Sequence, residues 1–332
     1  MIRSASTASI TEGRTAGTKK NNRNMDQASQ NVLDYTTPNT LFMVWNFNRD
    51  SDVKDVFQRL CKLVINLNNS ANVRFPDSRV SCVMAIGFDA WHRLGLPDPL
   101  PKELKNFAPI AGKKHTAVST PGDLHFHLRA DKDSICYDMA SSITDVLGAV
   151  AVSTEEIHGF RYWDSRSILG FVDGTENPHG EARKFFGLIG DEDPAYKGGS
   201  YLFVQKYVHD LNAWKDLPVE EQEKVIGRSK TNDIEMTDDV KPSNSHSALA
   251  NVGDDLKIVR DNMPFGNMST NEMGTYFIAY ASTFSTVEKM LDKMFIGSPE
   301  GNYDRILDFS TAKTGTLFFA PTFDMLDGFS GD

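Results

Sequence analysis

The sequence predicts an α+β chain made of two ferredoxin-like units in tandem, each with an antiparallel sheet. Three observations predict it. A β-α-β-β-α-β order runs from residue 41 to residue 163, which is the order of that unit. A second run of similar elements begins at residue 200. Two long stretches, 164–199 and 227–262, fit neither run, and insertions of that length are usually functional or without fixed structure.

LFMVWNF (41–47) reads as the first strand, and DVKDVFQRLCKLVINL (52–67) as the amphipathic helix behind it. VSCVMAIGF (80–88) is the second strand, and DLHFHLRA (123–130), which alternates, is the third. SICYDMASSITDVLGAV (134–150) is the second helix, and HGFRYW (158–163) the closing strand. In the second unit, SYLFVQKYV (200–208) is a strand and the stretch from His209 to Lys224 is mostly helical. MGTYFIAYA (273–281) is a strand, STVEKMLDKMF (285–295) a helix, and TGTLFFAP (314–321) closes the unit. The expected division is a disordered tail over 1–37, a first unit over 38–163 and a second over 164–332. Both insertions lie in the second unit, so the chemistry is expected there.

Composition excludes several classes. The chain has 332 residues and a formal net charge of −10, which suits neither nucleic acid nor an anionic membrane. It holds no apolar run near the ~18 residues of a spanning helix. Its three cysteines, Cys61, Cys82 and Cys136, are widely spaced with no C-x-x-C, which argues for a reducing compartment and against a disulfide framework. The first 30 residues carry Arg3, Arg14, Lys19, Lys20 and Arg23 against Glu12 and Asp26. That segment cannot offset the entropy of ordering. Its composition admits an organelle transit peptide, but the apolar face such a peptide needs is thin.

Four places draw attention as chemistry. GFVDGTENP (170–178) sets Asp173 where buried chain meets a rigid turn. His246, in PSNSHSALANV, is flanked by the small residues Ser245, Ser247 and Ala248. A lone histidine there is either structural or an axial ligand with room for a bulky group. Arg260, in IVRDNMPFG, is either an internal ion pair or a fixed cation facing developing charge. Asp304 and Asp308 are spaced i, i+4, as on one helical face. They read either as capping residues and surface ion-pair partners of Arg305, or, for one of them, as a partner for the ring N–H of a bound histidine. His125 and His127 would share one strand face, read as edge or pocket-wall histidines because no third metal ligand lies nearby. No G-x-S-x-G, H-E-x-x-H or P-loop occurs.

Taken together, GFVDGTENP, the Ser-His-Ser histidine, IVRDNMPFG and DRILDFSTAKTGTLFFAP resemble the dye-decolorizing peroxidases, most closely their compact class B branch. The resemblance runs from about Pro38 to about Thr322, and the fold read from element order agrees with that family's. It implies a haem b in the second unit, with hydrogen peroxide reduced through a ferryl state and dyes or other small aromatic donors oxidised. It implies His246 as the iron ligand, Asp173, Arg260 and Asn262 on the distal side, and Asp308 as the carboxylate behind the histidine, with Asp304 as runner-up. Gly174, Thr175, Glu176, Asn177, His179, Phe265 and Phe319 follow as cofactor-pocket residues. Asp261 would add a further carboxylate near the distal side. The resemblance also implies a homo-oligomer, a cytoplasmic setting and dye oxidation that runs best in acid. A non-catalytic haem carrier or sensor, or a haem-processing enzyme, would not require Asp173 and Arg260 together.

Overall fold

The computed structural model describes residues 28–331. The first unit consists of β1 (Asn39–Phe47), α1 (Lys54–Arg74), β2 (Ser81–Gly87), β3 (Leu124–Ala130), α2 (Asp133–Leu147) and β4 (Ala151–Phe160). The second consists of β5 (Ser200–His209), α3 (Leu211–Asp216), α4 (Val219–Ile226), α5 (His246–Ala250), β6 (Val259–Arg260), β7 (Met263–Asn267), β8 (Glu272–Ala281), α6 (Phe284–Phe295) and β9 (Thr316–Ala320). The strands form one sheet in the order β4-β1-β3-β2-β9-β5-β8-β6, with β7 also on β8. Each half therefore carries its fourth, first, third and second strands in that spatial order, the ferredoxin-like arrangement twice. The two halves join where β2 pairs antiparallel with β9, Ile86 opposite Phe319.

Side chains alternate across every strand, and the two faces bury different sets. Leu41, Met43, Cys82, Met84, Phe126, Leu128, Phe203 and Leu317 pack under the helices. Phe42, Val44, Val83, Ala85, Leu202, Val204, Tyr276, Ile278, Tyr280 and Phe318 form a second core on the opposite face. That face curls closed on itself. Phe42 of β1 stacks on Tyr276 of β8, near the other end of the strand order, with ring centroids 4.3 Å apart. At the seam, Gly159 of β4 lies against Met263 of β7, so close that a Cβ there would come within 2.7 Å of the Met263 Cβ.

This closure changes the reading of His125 and His127. They share a face as the alternation requires, but it is neither an edge nor a pocket wall. Both are fully buried in the curled interior, His127 bonded to Tyr280 Oη at 2.9 Å and His125 to Tyr276 Oη at 3.3 Å. Burial pushes His125 down to about 3 and His127 well below its ordinary value, so both stay neutral. All three cysteines are free and buried, and burial pushes each thiol up to about 12.

Two expected elements are displaced. The closing strand of the first unit is Ala151–Phe160 rather than 158–163. Its Val-Ser-Thr-Glu-Glu run is polar because this edge strand is exposed at consecutive positions there, on both faces. The second strand of the second unit, β6 with β7, lies inside IVRDNMPFG, which read as a motif rather than as a strand. The chain is also anchored before residue 38. Gln30 is buried and bonds Met84 through both its amide atoms, with a further bond to Pro321 O at 2.7 Å, clamping the β2–β9 joint. Within the tail expected over 1–37, the chain is thus hydrogen-bonded from Ala28 and buried from Gln30, and the part of that expectation before residue 28 lies outside the described residues.

Candidate active site

The 164–178 loop is held by its apolar half. Leu169 and Phe171 pack with Trp214, Val225 and Ile226 in a small separate core. Trp214 donates its indole N–H to Leu169 O at 3.0 Å. Asp173 follows directly and donates its backbone N–H to Ser165 O. Gly174 has φ +85°, which reverses the chain and sends Asn177 back towards β6. The Asn177 side chain then brackets Arg260, accepting from its N–H and donating to its C=O, both at 2.8 Å. The GTEN turn is therefore sewn onto the strand that carries the arginine.

Asn262 orients the carboxylate. Its Oδ1 accepts from Ile278 N at 3.1 Å, so its amide nitrogen is the atom left to donate. It does so to both oxygens of Asp173, at 3.3 and 3.2 Å. Asp261, between Arg260 and Asn262, points the other way. It is buried in the curled interior, with Arg129 Nη1 at 3.1 Å and His127 Nε2 at 3.5 Å. The extra carboxylate expected near Asp173 is therefore not there, because alternation along the strand turns residue 261 away.

His246 opens α5, in the insertion that crosses from α4 to β6. Gly227 ends α4 at φ +85°, and a Cβ there would meet Ser247 Oγ at 2.2 Å and Ser245 Oγ at 2.8 Å; glycine at 227 is what lets this turn sit beside the histidine. His246 Nδ1 lies 2.7 Å from Oδ2 of Asp304, a carboxylate with no solvent exposure. The other oxygen of Asp304 accepts from Ile306 N at 3.0 Å, capping the 3₁₀ turn Arg305–Asp308. The carboxylate behind the histidine is Asp304, not Asp308. An α-helix would place residues 304 and 308 on one face, but a turn of three residues per turn rotates them apart. Asp308 instead takes Lys114 Nζ at 2.6 Å and both His115 Nε2 and Tyr303 Oη at 3.0 Å. Partial burial works against its ionisation, yet these contacts hold its carboxyl below the usual range.

Two adjoining cavities share His246, Asp173, Arg260, Val172, Ile226, Ala250 and Met290 as walls. One continues past Gly174, Thr175 and Glu176 to Arg228 and Lys257. The other runs past Asn262 into an apolar end with Phe277, Leu291, Met294 and Ile306. The donor set fits an iron porphyrin. With Nδ1 of His246 facing a carboxylate, Nε2 is the nitrogen free to ligate. Small and apolar side chains line the space, and its polar end carries Arg228, paired with Asp233 and Glu235, and Lys257, 3.9 Å from Glu176. The side-chain hydroxyl of Ser247 is buried there without a partner among the described residues. His209, whose setting in the sequence is ordinary, also walls the second cavity, bonded to Ser310 and Thr275.

Four expected pocket residues stand elsewhere; Asn177, bracketing Arg260, lines a third cleft instead of these cavities. Phe265 faces the curled interior of the sheet, with the Lys206 ammonium 5.4 Å from its ring. Phe319 packs edge-on against Trp91 and Tyr196 under the helices. Neither lines the two cavities around His246, since strand alternation decides which way each points. His179 lines that third cleft as well, stacked on Tyr35 at 6.5 Å. Among the described residues no helix is long and apolar enough to cross a membrane, and no group of three His, Cys, Asp or Glu is placed to hold a metal ion by itself.

Comparison with known proteins places the chain. The model of the Dyp-type peroxidase N-terminal domain matches residues 29–161, and that of the C-terminal domain matches residues 164–325. A dye-decolorizing peroxidase of Rhodococcus erythropolis is 48% identical over 304 residues, 90% of this chain and 88% of that protein. The crystal structure of a dye-decolorizing peroxidase from Bacteroides thetaiotaomicron superposes with a TM-score of 0.90 at 53% identity, covering 92% of this chain and 99% of that one. A DypB variant from Rhodococcus jostii RHA1, solved in complex with heme, superposes with a TM-score of 0.85 at 46% identity, covering 91% and 98%. With both domain models matched in order along one continuous fold, the chain belongs to the Dyp-type peroxidase family.

Proposed function

We propose that this chain is a haem b peroxidase in which His246 binds the iron, and Asp173, Arg260 and Asn262 act on peroxide. One observation carries the reading: a histidine whose Nδ1 is taken by a buried carboxylate lines the same cavities as a carboxylate held by an amide donor. When bound, haem supplies the redox-active iron at which peroxide is reduced. The remaining work falls to side chains. Asp304 accepts the Nδ1–H of His246, fixes the tautomer that presents Nε2 and makes the imidazole a stronger donor. Asp173 would take a proton from one oxygen of hydrogen peroxide and return it to the other, which would leave as water, with the two electrons for O–O cleavage supplied by the haem when bound. Asn262 holds that carboxylate in place by donating to it. Arg260, its backbone bracketed by Asn177, presents a fixed cation to the negative charge that grows as the O–O bond stretches.

The electron donors in this reading are dyes and other small aromatic compounds, and the same reading includes a cytoplasmic homo-oligomer. The test is the absorption spectrum of the purified protein before and after one equivalent of hydrogen peroxide. A Soret band that changes on peroxide and recovers with a reducing dye supports a haem peroxidase. Loss of the band in His246→Ala supports the ligand. A haem spectrum indifferent to peroxide refutes the peroxidase, and no Soret band after reconstitution with haem refutes the role of His246.

A further inference from the structure

The third cleft is basic on a protein whose net charge is −10. Its volume is about 280 Å³, and Arg79, Arg161, Arg166, Arg183 and Arg260 line it with one carboxylate, Asp173. Two of these arginines are neutralised: Arg79 by Asp131 at 3.3 Å and Arg166 by Asp164 at 2.8 Å. The other three have no carboxylate within ion-pair distance among the described residues. Arg183 spends its donors on the carbonyls of Leu33 and Asp34. Arg161 is exposed and holds only Ser165 Oγ, through Nε at 2.8 Å, so both its terminal nitrogens are free. Tyr35 and Tyr162 add aromatic surface to the walls, and Arg183 already lies over the Tyr35 ring at 4.7 Å. Asp173, Arg260 and Asn262 belong to this cleft and to the cavity beyond it, so its inner end is the site itself.

We infer that this cleft docks small aromatic anions, arenes bearing a carboxylate or sulfonate, with Arg161 as the residue that selects for the charge. The inference rests on the peroxidase reading for what happens to the bound molecule, but not for its binding. A guanidinium with two free terminal nitrogens matches a carboxylate or sulfonate in fork geometry. The tyrosines supply faces for the ring. The uncompensated cations raise the local concentration of an anion against the repulsion of the acidic surface elsewhere. Neutral phenols gain only the aromatic part.

Two measurements on the haem-loaded protein test this. The first is calorimetric titration with naphthalene-2-sulfonate, which needs no turnover, against its neutral sulfonamide. Arg161→Gln is expected to weaken the sulfonate about tenfold, the loss of one charge-assisted contact, and to leave the sulfonamide unchanged. Arg161→Glu is expected to weaken it further, and rising salt to act on the sulfonate alone. The second is steady-state oxidation of ferulate and its methyl ester. KM for ferulate is expected to rise about tenfold in Arg161→Gln at unchanged kcat, with the ester unaffected. Equal sulfonate binding by the wild type and both variants overturns the inference, as does an equal effect on the charged and neutral members of either pair. If the haem spectrum of the wild type does not respond to peroxide, the peroxidase reading fails while the sulfonate titration still decides the cleft.

Discussion

Replacing Asp304 by Asn keeps the side chain's shape but turns one acceptor oxygen into a donor and removes the ionisable carboxyl, which makes it a sharp test of the proximal side. The carboxylate accepts twice, from Ile306 N on one oxygen and from His246 Nδ1 on the other. Asn has a single acceptor oxygen. If that oxygen keeps the Ile306 N–H, for which Asn is as good a cap as Asp, its NH₂ faces His246 Nδ1. The histidine must then turn Nδ1 into an acceptor and carry its proton on Nε2, the nitrogen proposed to bind iron. Loss of such a supporting partner typically costs 10- to 100-fold in metal affinity, about 1.4–2.7 kcal/mol. Haem affinity in Asp304→Asn, measured by titrating the apoprotein and following the Soret band, is expected to fall by that factor. The iron midpoint potential is expected to rise as the imidazole becomes a weaker donor. Asp308→Asn is the control: it loses a partly exposed pair with Lys114, worth about 0–1 kcal/mol, and is expected to leave both readings unchanged. Unaltered haem affinity and potential in Asp304→Asn, or losses in Asp308→Asn instead, refute the reasoning.

Four further outcomes are expected. Asn262→Ala frees Asp173 from its amide donor, and kcat/KM for peroxide in stopped flow should fall about tenfold, roughly 1.4 kcal/mol of barrier, with haem affinity unchanged. Burial pushes His209 down to about 4; the unfolded chain therefore binds the extra proton first, and stability contributed by the neutral ring is lost as pH falls from about 6.5 towards 4. Urea unfolding of His209→Gln should show a shallower acid loss than the wild type, by up to roughly 3 kcal/mol. Burial pushes Glu155 up to about 7, against the opposing charge of Lys206; here the folded state holds the extra proton, and stability falls as pH rises from about 4.5 to 7. Glu155→Gln should gain stability over the wild type at pH ~8 and not at pH ~4, read by thermal unfolding. Gly227→Ala places a Cβ 2.2 Å from Ser247 Oγ at a φ of +85°, and should cost about 1–3 kcal/mol and weaken haem binding with it.

What the sequence made legible was local. Strands and helices with strong periodicity, such as LFMVWNF or STVEKMLDKMF, fall where their pattern places them, and the repeated element order carries the double ferredoxin-like arrangement. What it hid was set by long-range contact. DLHFHLRA alternates apolar and polar as a half-exposed strand does. Nothing in its eight letters says that Phe42 will meet Tyr276 and close the polar face into a core. The choice between Asp304 and Asp308 turned on whether four residues make an α or a 3₁₀ turn, a distinction that i, i+4 spacing cannot draw. Phe265 and Phe319 come into the pocket only through the resemblance, and the faces their strands turn put them elsewhere.

The tripeptide Arg260-Asp261-Asn262 shows how the site and the fold depend on each other. Its alternation divides the labour: residues 260 and 262 face the cavities, and residue 261 faces the curled interior, where Arg129 and His127 hold it. Arg129 also binds Ser81 and the carbonyls of Asn31 and Asp34. The first unit thus holds the back of the strand whose front carries the chemistry. A buried pair of this kind is weak evidence for stability, since two desolvated charges roughly offset their attraction. Its physical use here is register. A slip of one residue would turn Asp261 towards the site and drive Arg260 into an interior already occupied by Arg129 and two neutral histidines, a like-charge burial that the fold cannot relieve. The carboxylate that read as an extra charge near the site is thus the element that keeps Arg260 and Asn262 facing it.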